Sequence, residues 1–165
     1  MSNAAPTGAP PMPSPQGGNP WSASKYVART FFVYEADIPP ANLPLNSGAA
    51  FPLTFNIAGD SDFFWTKFTV TAVATNGGGA GVPAVDLNPR INALIINTTT
   101  GRQYSSAPVP LAGMAGNGQF PFILPMITLW EKKSTIQIQL QSYNSVDSYD
   151  FVQLSFLGIK AFTNN

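Results

Sequence analysis

The chain has 165 residues, enough for one domain with a sizeable core and an appendage. Its 8 basic and 8 acidic residues cancel, and charged residues make up 10 %, far below the usual share of about 25 %. Phosphate binding needs clustered Lys and Arg, so nucleic acid is not an expected partner. The one adjacent basic pair, Lys132-Lys133, reads as a solvated turn. With no cysteine there is no disulfide framework or thiol chemistry, and with no histidine the commonest general base and zinc ligand are missing. No run of about 18 apolar residues suggests a membrane span, and the N-terminus lacks a secretory pattern. The expectation is a soluble chain that is not exported, with neither a membrane nor a nucleic-acid partner.

Residues 1–21 form their own compositional zone, an extended arm preceding a β-domain over residues 22–165. Pro6, Pro10, Pro11, Pro13, Pro15 and Pro20 leave little to bury, and no charged side chain precedes Lys25. Such a segment tends toward polyproline-like extension. It is either a dispensable tail or an arm that lies on a neighbouring subunit with Trp21 as its anchor.

Trp21 and Tyr26 open the domain. Residues 29–34 are β-branched and aromatic, a first strand. Prolines at 39, 40 and 44 then break the chain into a loop. In residues 51–58, Phe51, Leu53, Phe55 and Ile57 alternate with other residues, as a strand requires. After the turn Gly59-Asp60-Ser61-Asp62 comes a long strand over 63–75. Uninterrupted alternation there places Phe64, Phe68, Val70, Ala72 and Ala74 on one face, with Trp65, Lys67, Thr69, Thr71 and Val73 on the other.

The glycine run at 77–79 opens a flexible excursion. Residues 91–97 read as a buried strand, and a turn at 98–101 leads into a short strand at 102–104. After a second Gly/Pro-rich loop, residues 120–124 and 127–130 read as two short strands separated by Pro125. Residues 134–142 alternate Ile136, Ile138 and Leu140 with Gln137, Gln139 and Gln141, giving one apolar face and one amide face. Val152, Leu154 and Phe156 repeat the beat in residues 150–160, and the polar linker between them suits an antiparallel connection. About eight strands and no helix point to an all-β antiparallel sandwich or jelly roll. Its expected core includes Phe55, Ile57, Phe68, Val70, Ile95, Ile138, Leu140, Leu154 and Phe156.

Asp60-Ser61-Asp62 is the best metal candidate, since alternating carboxylates suit a hard cation. The further oxygen ligands of a calcium loop do not follow, so a turn with aspartates bonded to nearby backbone N–H groups fits better. A glycosidase needs two facing carboxylates, and Glu35, Asp37, Asp86, Glu131, Asp147 and Asp150 are dispersed in sequence. The serines lack a histidine to activate them, and the glycine loop lacks the lysine of a phosphate cradle. No catalytic residue, metal or cofactor is expected. Phe63, Trp65 and Trp130 either fill the core, where most aromatics go, or face outward as a sugar-stacking platform or subunit interface.

Several segments together resemble small virion proteins of tailed bacteriophages. They are Asp60-Ser-Asp-Phe-Phe-Trp65 leading into a strand, Thr100-Gly101-Arg102, Pro108-Val-Pro110, Gly116-Asn-Gly118 with Pro121, and Phe156-Leu-Gly-Ile-Lys160. The likeness spans roughly residues 50–162 and excludes the arm. It implies a β-sandwich capsid decoration or cement protein, assembled in the cytoplasm of an infected bacterium and located in the virion. The implied partners are the major capsid protein or other virion subunits, with copies forming a homo-oligomer such as a trimer. Tail, collar or fibre components are the neighbouring alternatives, and a carbohydrate-binding β-sandwich using the Trp residues is another. A hydrolase ranks last because histidine is missing.

Overall fold

The computed structural model describes residues 25–143 and 148–163. Among them run ten strands: β1 Tyr26–Asp37, β2 Ala50–Asn56, β3 Ser61–Ala74, β4 Ala84–Val85, β5 Ile91–Asn97, β6 Arg102–Gln103, β7 Val109–Pro110, β8 Phe122–Trp130, β9 Thr135–Ser142 and β10 Tyr149–Thr163. Two short helical turns interrupt them, a 3-10 turn at Pro40–Asn42 and one α-turn, α1, at Leu111–Met114.

All strand pairs are antiparallel, and they form two sheets. Sheet A runs β1-β10-β3, with β4 and β8 both on the far edge of β3. Sheet B runs β2-β9-β5, with β6 and β7 on the far edge of β5. The long strands alternate between sheets along the chain, which is jelly-roll wiring. The two C-terminal strands do not form a hairpin: β9 is central in sheet B and β10 central in sheet A. Their apolar faces meet across the core instead, because each strand buries one side chain in two. Ile136, Ile138 and Leu140 face Val152, Leu154 and Phe156, all of them buried. Each such side chain contributes roughly 1.5–3 kcal/mol, an upper estimate because unfolded chains already hide some surface.

The expected core is realised throughout, with Phe55 at its margin as a partly buried ring and the other eight positions buried. One expectation fails at β3. Its register against β10 shifts between Trp65 and Lys67, so Thr66 has no partner and forms a bulge. An extra residue resets alternation. Phe63 and Trp65 therefore point inward ahead of the bulge, and Phe68, Val70, Ala72 and Ala74 point inward after it. Phe64 goes to the outer face, away from the company of Phe68 that simple alternation gave it. The Thr66 hydroxyl donates to the Leu157 carbonyl at 3.1 Å and holds the bulge. Opposite sits Gly158, where a Cβ would run into the Phe64 carbonyl and come within 2.7 Å of the Phe63 ring.

Residues 120–130 also differ from two separate strands. β8 pairs with β3 on both sides of Pro125, Phe122 and Ile123 at one end and Thr128 to Trp130 at the other. The intervening residues bow out opposite Thr66. Pro125 lacks an N–H, and this excursion is where a strand tolerates that.

The two edges of the sandwich close differently. On one, Tyr34 of β1 stacks on Phe55 of β2 with centroids 5.5 Å apart, and its hydroxyl accepts the Ala58 N–H at 2.9 Å. On the other, Gly116 bridges to β3, donating to the Phe68 carbonyl at 3.0 Å and accepting from the Val70 N–H at 2.8 Å. Leu111 of α1 is buried beneath that edge.

Two substitutions test this packing. Ile138→Ala, at a fully buried site in the middle strand of sheet B, should lower unfolding free energy by about 2–5 kcal/mol. Gly158→Ala, although a single methyl, should cost about 1–3 kcal/mol by overpacking the bulge. Urea titrations read both, and wild-type midpoints would contradict the assigned core and bulge.

Candidate interaction surface

The aromatic platform expected as one reading of Phe63, Trp65 and Trp130 does not exist at the surface. All three are buried, Trp65 and Trp130 stacked with centroids 4.9 Å apart and Phe156 packed against both. Their polar atoms are used internally. The Trp65 indole N–H donates to the Lys67 carbonyl at 2.8 Å, and that of Trp130 donates to the Tyr104 hydroxyl at 2.6 Å. Burial pushes the Tyr104 phenol above its ordinary range, against the smaller opposing influence of that indole bond and of Arg102. Rings locked in this way cannot stack on a sugar.

Asp62 is a buried carboxylate and acts as a clip. Oδ1 accepts the Lys132 backbone N–H at 2.9 Å, and Oδ2 accepts from the Tyr26 hydroxyl at 2.9 Å and the Lys25 ammonium at 3.1 Å. The clip fastens the start of β1, the start of β3 and the turn after β8. Asp60, beside it, accepts the Ser61 hydroxyl at 2.9 Å. The expected bonds to nearby backbone N–H groups are replaced by one to the N–H of Lys132, distant in sequence, and one to the Ser61 hydroxyl. Among the described residues no group of three acidic side chains is arranged to hold a metal.

Burial pushes the Asp62 carboxyl up, but the bonds from Lys132, Lys25 and Tyr26 together outweigh it and hold the group below the ordinary carboxylate range. The Tyr26 phenol is raised, first by burial and then by its bond to Asp62. Lys25 is itself largely exposed, so its ion pair adds little beyond about 0–1 kcal/mol. The two neutral donors matter more.

Of the dispersed carboxylates, the structure brings Asp37 and Asp150 to one open cleft of about 560 Å³, lined also by Pro39, Pro40, Leu43 and Phe151. Asp150 accepts the Thr75 hydroxyl at 2.9 Å there. Asp86 lies elsewhere, accepting the Tyr149 hydroxyl at 3.0 Å. The other residues lining that cleft, Ile38, Pro39, Pro40, Leu43 and Phe151, carry no ionisable side chain.

The surface feature that stands out is apolar. In sheet A directly paired residues share a face, so Phe31, Ile159, Phe64 and Leu129 form one row across β1, β10, β3 and β8. The row lies on the outer face, since Phe64 and Leu129 stand outside the main core. Val33, Leu157 and Ile123 follow in the next outer row, with Lys67 between them. Phe31 is 67 % exposed and Ile123 68 % exposed. Beyond them the bowed part of β8 carries Met126, 75 % exposed, and Ile127. The outer face of sheet B is more mixed: Gln137, Gln139 and Gln141 of β9 lie between Thr54, Pro52 and Ala50 of β2 and Ile96, Leu94 and Asn92 of β5. Sequence reading found the amide face. It missed the apolar row because the row depends on register across four strands and on the bulge.

The arm residues singled out from sequence, Pro6, Pro10, Pro11, Pro13, Pro15, Pro20 and Trp21, lie outside the described residues. No protein-family model, curated protein or solved structure matches the chain. No helix among the described residues is long and apolar enough to cross a membrane.

The clip gives a pH prediction. A carboxylate whose folded pKa is depressed stabilises the fold above its unfolded value, and that contribution disappears as pH falls through the folded value. Stability should therefore decline below about pH 4. Asp62→Ala should cost about 1–3 kcal/mol at neutral pH, by stranding the Lys132 N–H and the Tyr26 hydroxyl, and should flatten the acid limb. Thermal melts across pH read both effects; an unchanged acid limb would refute the clip. Calcium and a chelator should leave the wild-type melting temperature unchanged, since the oxygens of Asp62 are already occupied.

Proposed function

We propose that the protein is a non-enzymatic structural subunit of a bacteriophage virion, a capsid decoration or cement protein that adds contact area between shell subunits. The observation that carries this reading is the exposed apolar edge at β8, set in a stretch without a charged residue from Gln103 to Trp130. Monomeric soluble domains rarely leave such a patch open, and its usual meaning is a protein contact. Phe120, Ile123 and Met126 offer that contact area, while Pro125 and the bow around it discourage runaway strand addition. Jelly-roll wiring supports the reading by analogy only, because one fold serves many functions.

A cement protein needs buried contact area and no catalytic group. A charge-poor surface also gives contacts that depend weakly on salt, because few ions have to be desolvated or screened. The partners would be the major capsid protein or other virion subunits, with copies of this chain associating around the same positions. The arm then serves as a fastener. Six prolines between residues 6 and 20 restrict the unbound chain, so docking it loses less entropy than docking a Gly/Ser linker.

A truncated protein starting at Ser22 should fold with the same β-rich circular dichroism spectrum yet occupy particles poorly. A full-length Ile123→Asp/Met126→Asp variant should also load poorly, because it places charges in the contact. Occupancy is read by mass spectrometry or imaging of purified particles. Full occupancy by both would defeat the proposal, whereas loss from only one would identify which surface attaches.

A further inference from the structure

We propose that two copies of this chain pair through the free edge of β1, antiparallel about a two-fold axis at Phe32, joining their A sheets into one. The first reason is that β1 is a long edge protected by neither proline nor brevity, the devices that keep other edges from adding strands. Among the remaining edge strands, β2 carries Pro52, β8 carries Pro125, and β4, β6 and β7 have two residues each. β1 has 12 residues and pairs with β10 on one side, and among the described residues no strand lies on the other. Its ladder with β10 is regular from Ala28 to Asp37.

The second reason is the direction of the backbone. The Ile38 N–H, just past the strand, donates to the Val152 carbonyl of β10 at 3.1 Å. Backbone groups of a strand alternate between its two sides, so the even-numbered residues of β1 bond to β10. Arg29, Phe31, Val33 and Glu35 therefore direct their N–H and C=O groups to the free side. An axis at Phe32 sets these four against one another as hydrogen-bonded pairs: Phe31 faces the partner's Val33, and Arg29 faces the partner's Glu35.

Third, the side chains are self-complementary in that register. Directly opposite residues share a face, so two Arg29–Glu35 ion pairs flank two Phe31–Val33 apolar contacts. On the other face Phe32 meets its own copy and Thr30 meets the partner's Tyr34. Phe31 is 67 % exposed, and Arg29 and Glu35 are exposed as well. Arg29 already makes a contact of its own, but a guanidinium has five N–H donors and can take a carboxylate in addition. The neighbouring registers lose the match. An axis at Phe31 sets Arg29 against Val33, and one at Val33 sets Phe31 against Glu35. A two-fold pair uses up both β1 edges and closes, leaving β8 on the far side of each A sheet available. The pairing gives a contact between copies within the proposed role, but it does not rest on that role.

Sedimentation of the isolated full-length protein at micromolar concentration should give twice the 17.5 kDa of one chain. A monomer or a trimer would overturn the proposal. Glu35→Arg, which leaves Arg29 in place, should weaken the dimer about tenfold or more, because two like-charge pairs then oppose each other. Arg29→Glu should do the same. Arg29→Glu/Glu35→Arg exchanges the ends of both ion pairs and should return the dissociation constant close to the wild-type value. Single variants that dimerise like wild type, or a double variant no tighter than the singles, would overturn the register. The chain has no cysteine, so Phe32→Cys places one thiol opposite its own copy, at a non-hydrogen-bonded position with Cα atoms about 4.5 Å apart. Mild oxidation should link this variant into covalent dimers far faster than Thr30→Cys, whose thiol faces Tyr34. Equal rates would overturn the axis. Circular dichroism checks that each variant keeps the β-rich fold. All of these measurements use isolated protein, so dimerisation can fail while particles load normally, and the reverse.

Discussion

The extra residue at Thr66 sets the character of both faces of sheet A. Without it, β3 would alternate from Phe63 to Ala74 in one phase, and either Trp65 or Phe68 would have to face solvent. The bulge lets both enter the core, where Trp65 stacks on Trp130 and Phe68 stacks on Phe156. The same reset sends Phe64 outward. The strand can bend there because Gly158 has no side chain to oppose the Phe64 carbonyl and the Phe63 ring. β8 follows on the other side of β3, bowing out at the same level. The aromatic core and the apolar outer row thus share one cause. A bulge is over-represented where a protein must re-aim side chains, and here it re-aims a whole half-strand.

Because the core is made by register and bulge, its polar atoms need internal partners, and they have them. Among the described residues no buried side-chain nitrogen or oxygen lacks a hydrogen bond. Trp130 uses Tyr104, Trp65 uses a backbone carbonyl, and Tyr149 accepts from the Arg90 N–H at 2.7 Å while donating to Asp86. The last pair ties the start of β10 in sheet A to the chain passing between β4 and β5 on its way into sheet B. Asp62 plays the corresponding part at the other end of sheet A. These bonds are specific in direction where burial is not, so they fix which jelly roll forms rather than merely whether a β-sandwich forms.

Much of this was readable from residues alone. Period-two alternation located β2, β9 and β10 and an apolar run located β5, and the core positions named in them were correct because one face of each strand is buried. The same logic misled at β3, where alternation was carried through a bulge that leaves no sequence signal except Thr66 itself. Pairing was also beyond local reading. The short polar linker before Tyr149 suggested a hairpin, whereas β9 and β10 cross from one sheet to the other. Linker length limits how far apart two strand ends lie, but two packed sheets stand only about 10 Å apart, so a linker that can close a hairpin can also change sheets. The apolar row was invisible for a related reason: Phe31, Phe64, Leu129 and Ile159 are far apart in sequence and meet only through three ladders.

The absence of charge connects the fold to the proposed role. A domain with 10 % charged residues gives up the long-range repulsion that keeps most proteins apart, and it exposes apolar side chains at β8 as well. That combination is a liability for a free monomer and an advantage for a subunit destined for a crowded shell, where each contact adds area and few ions must be desolvated. The bowed edge around Met126 stays open, with Pro125 and the irregular backbone discouraging copies from adding strand to strand. In the proposed role, attachment through side chains rather than through this sheet edge would let the subunit join an assembly without templating a fibre.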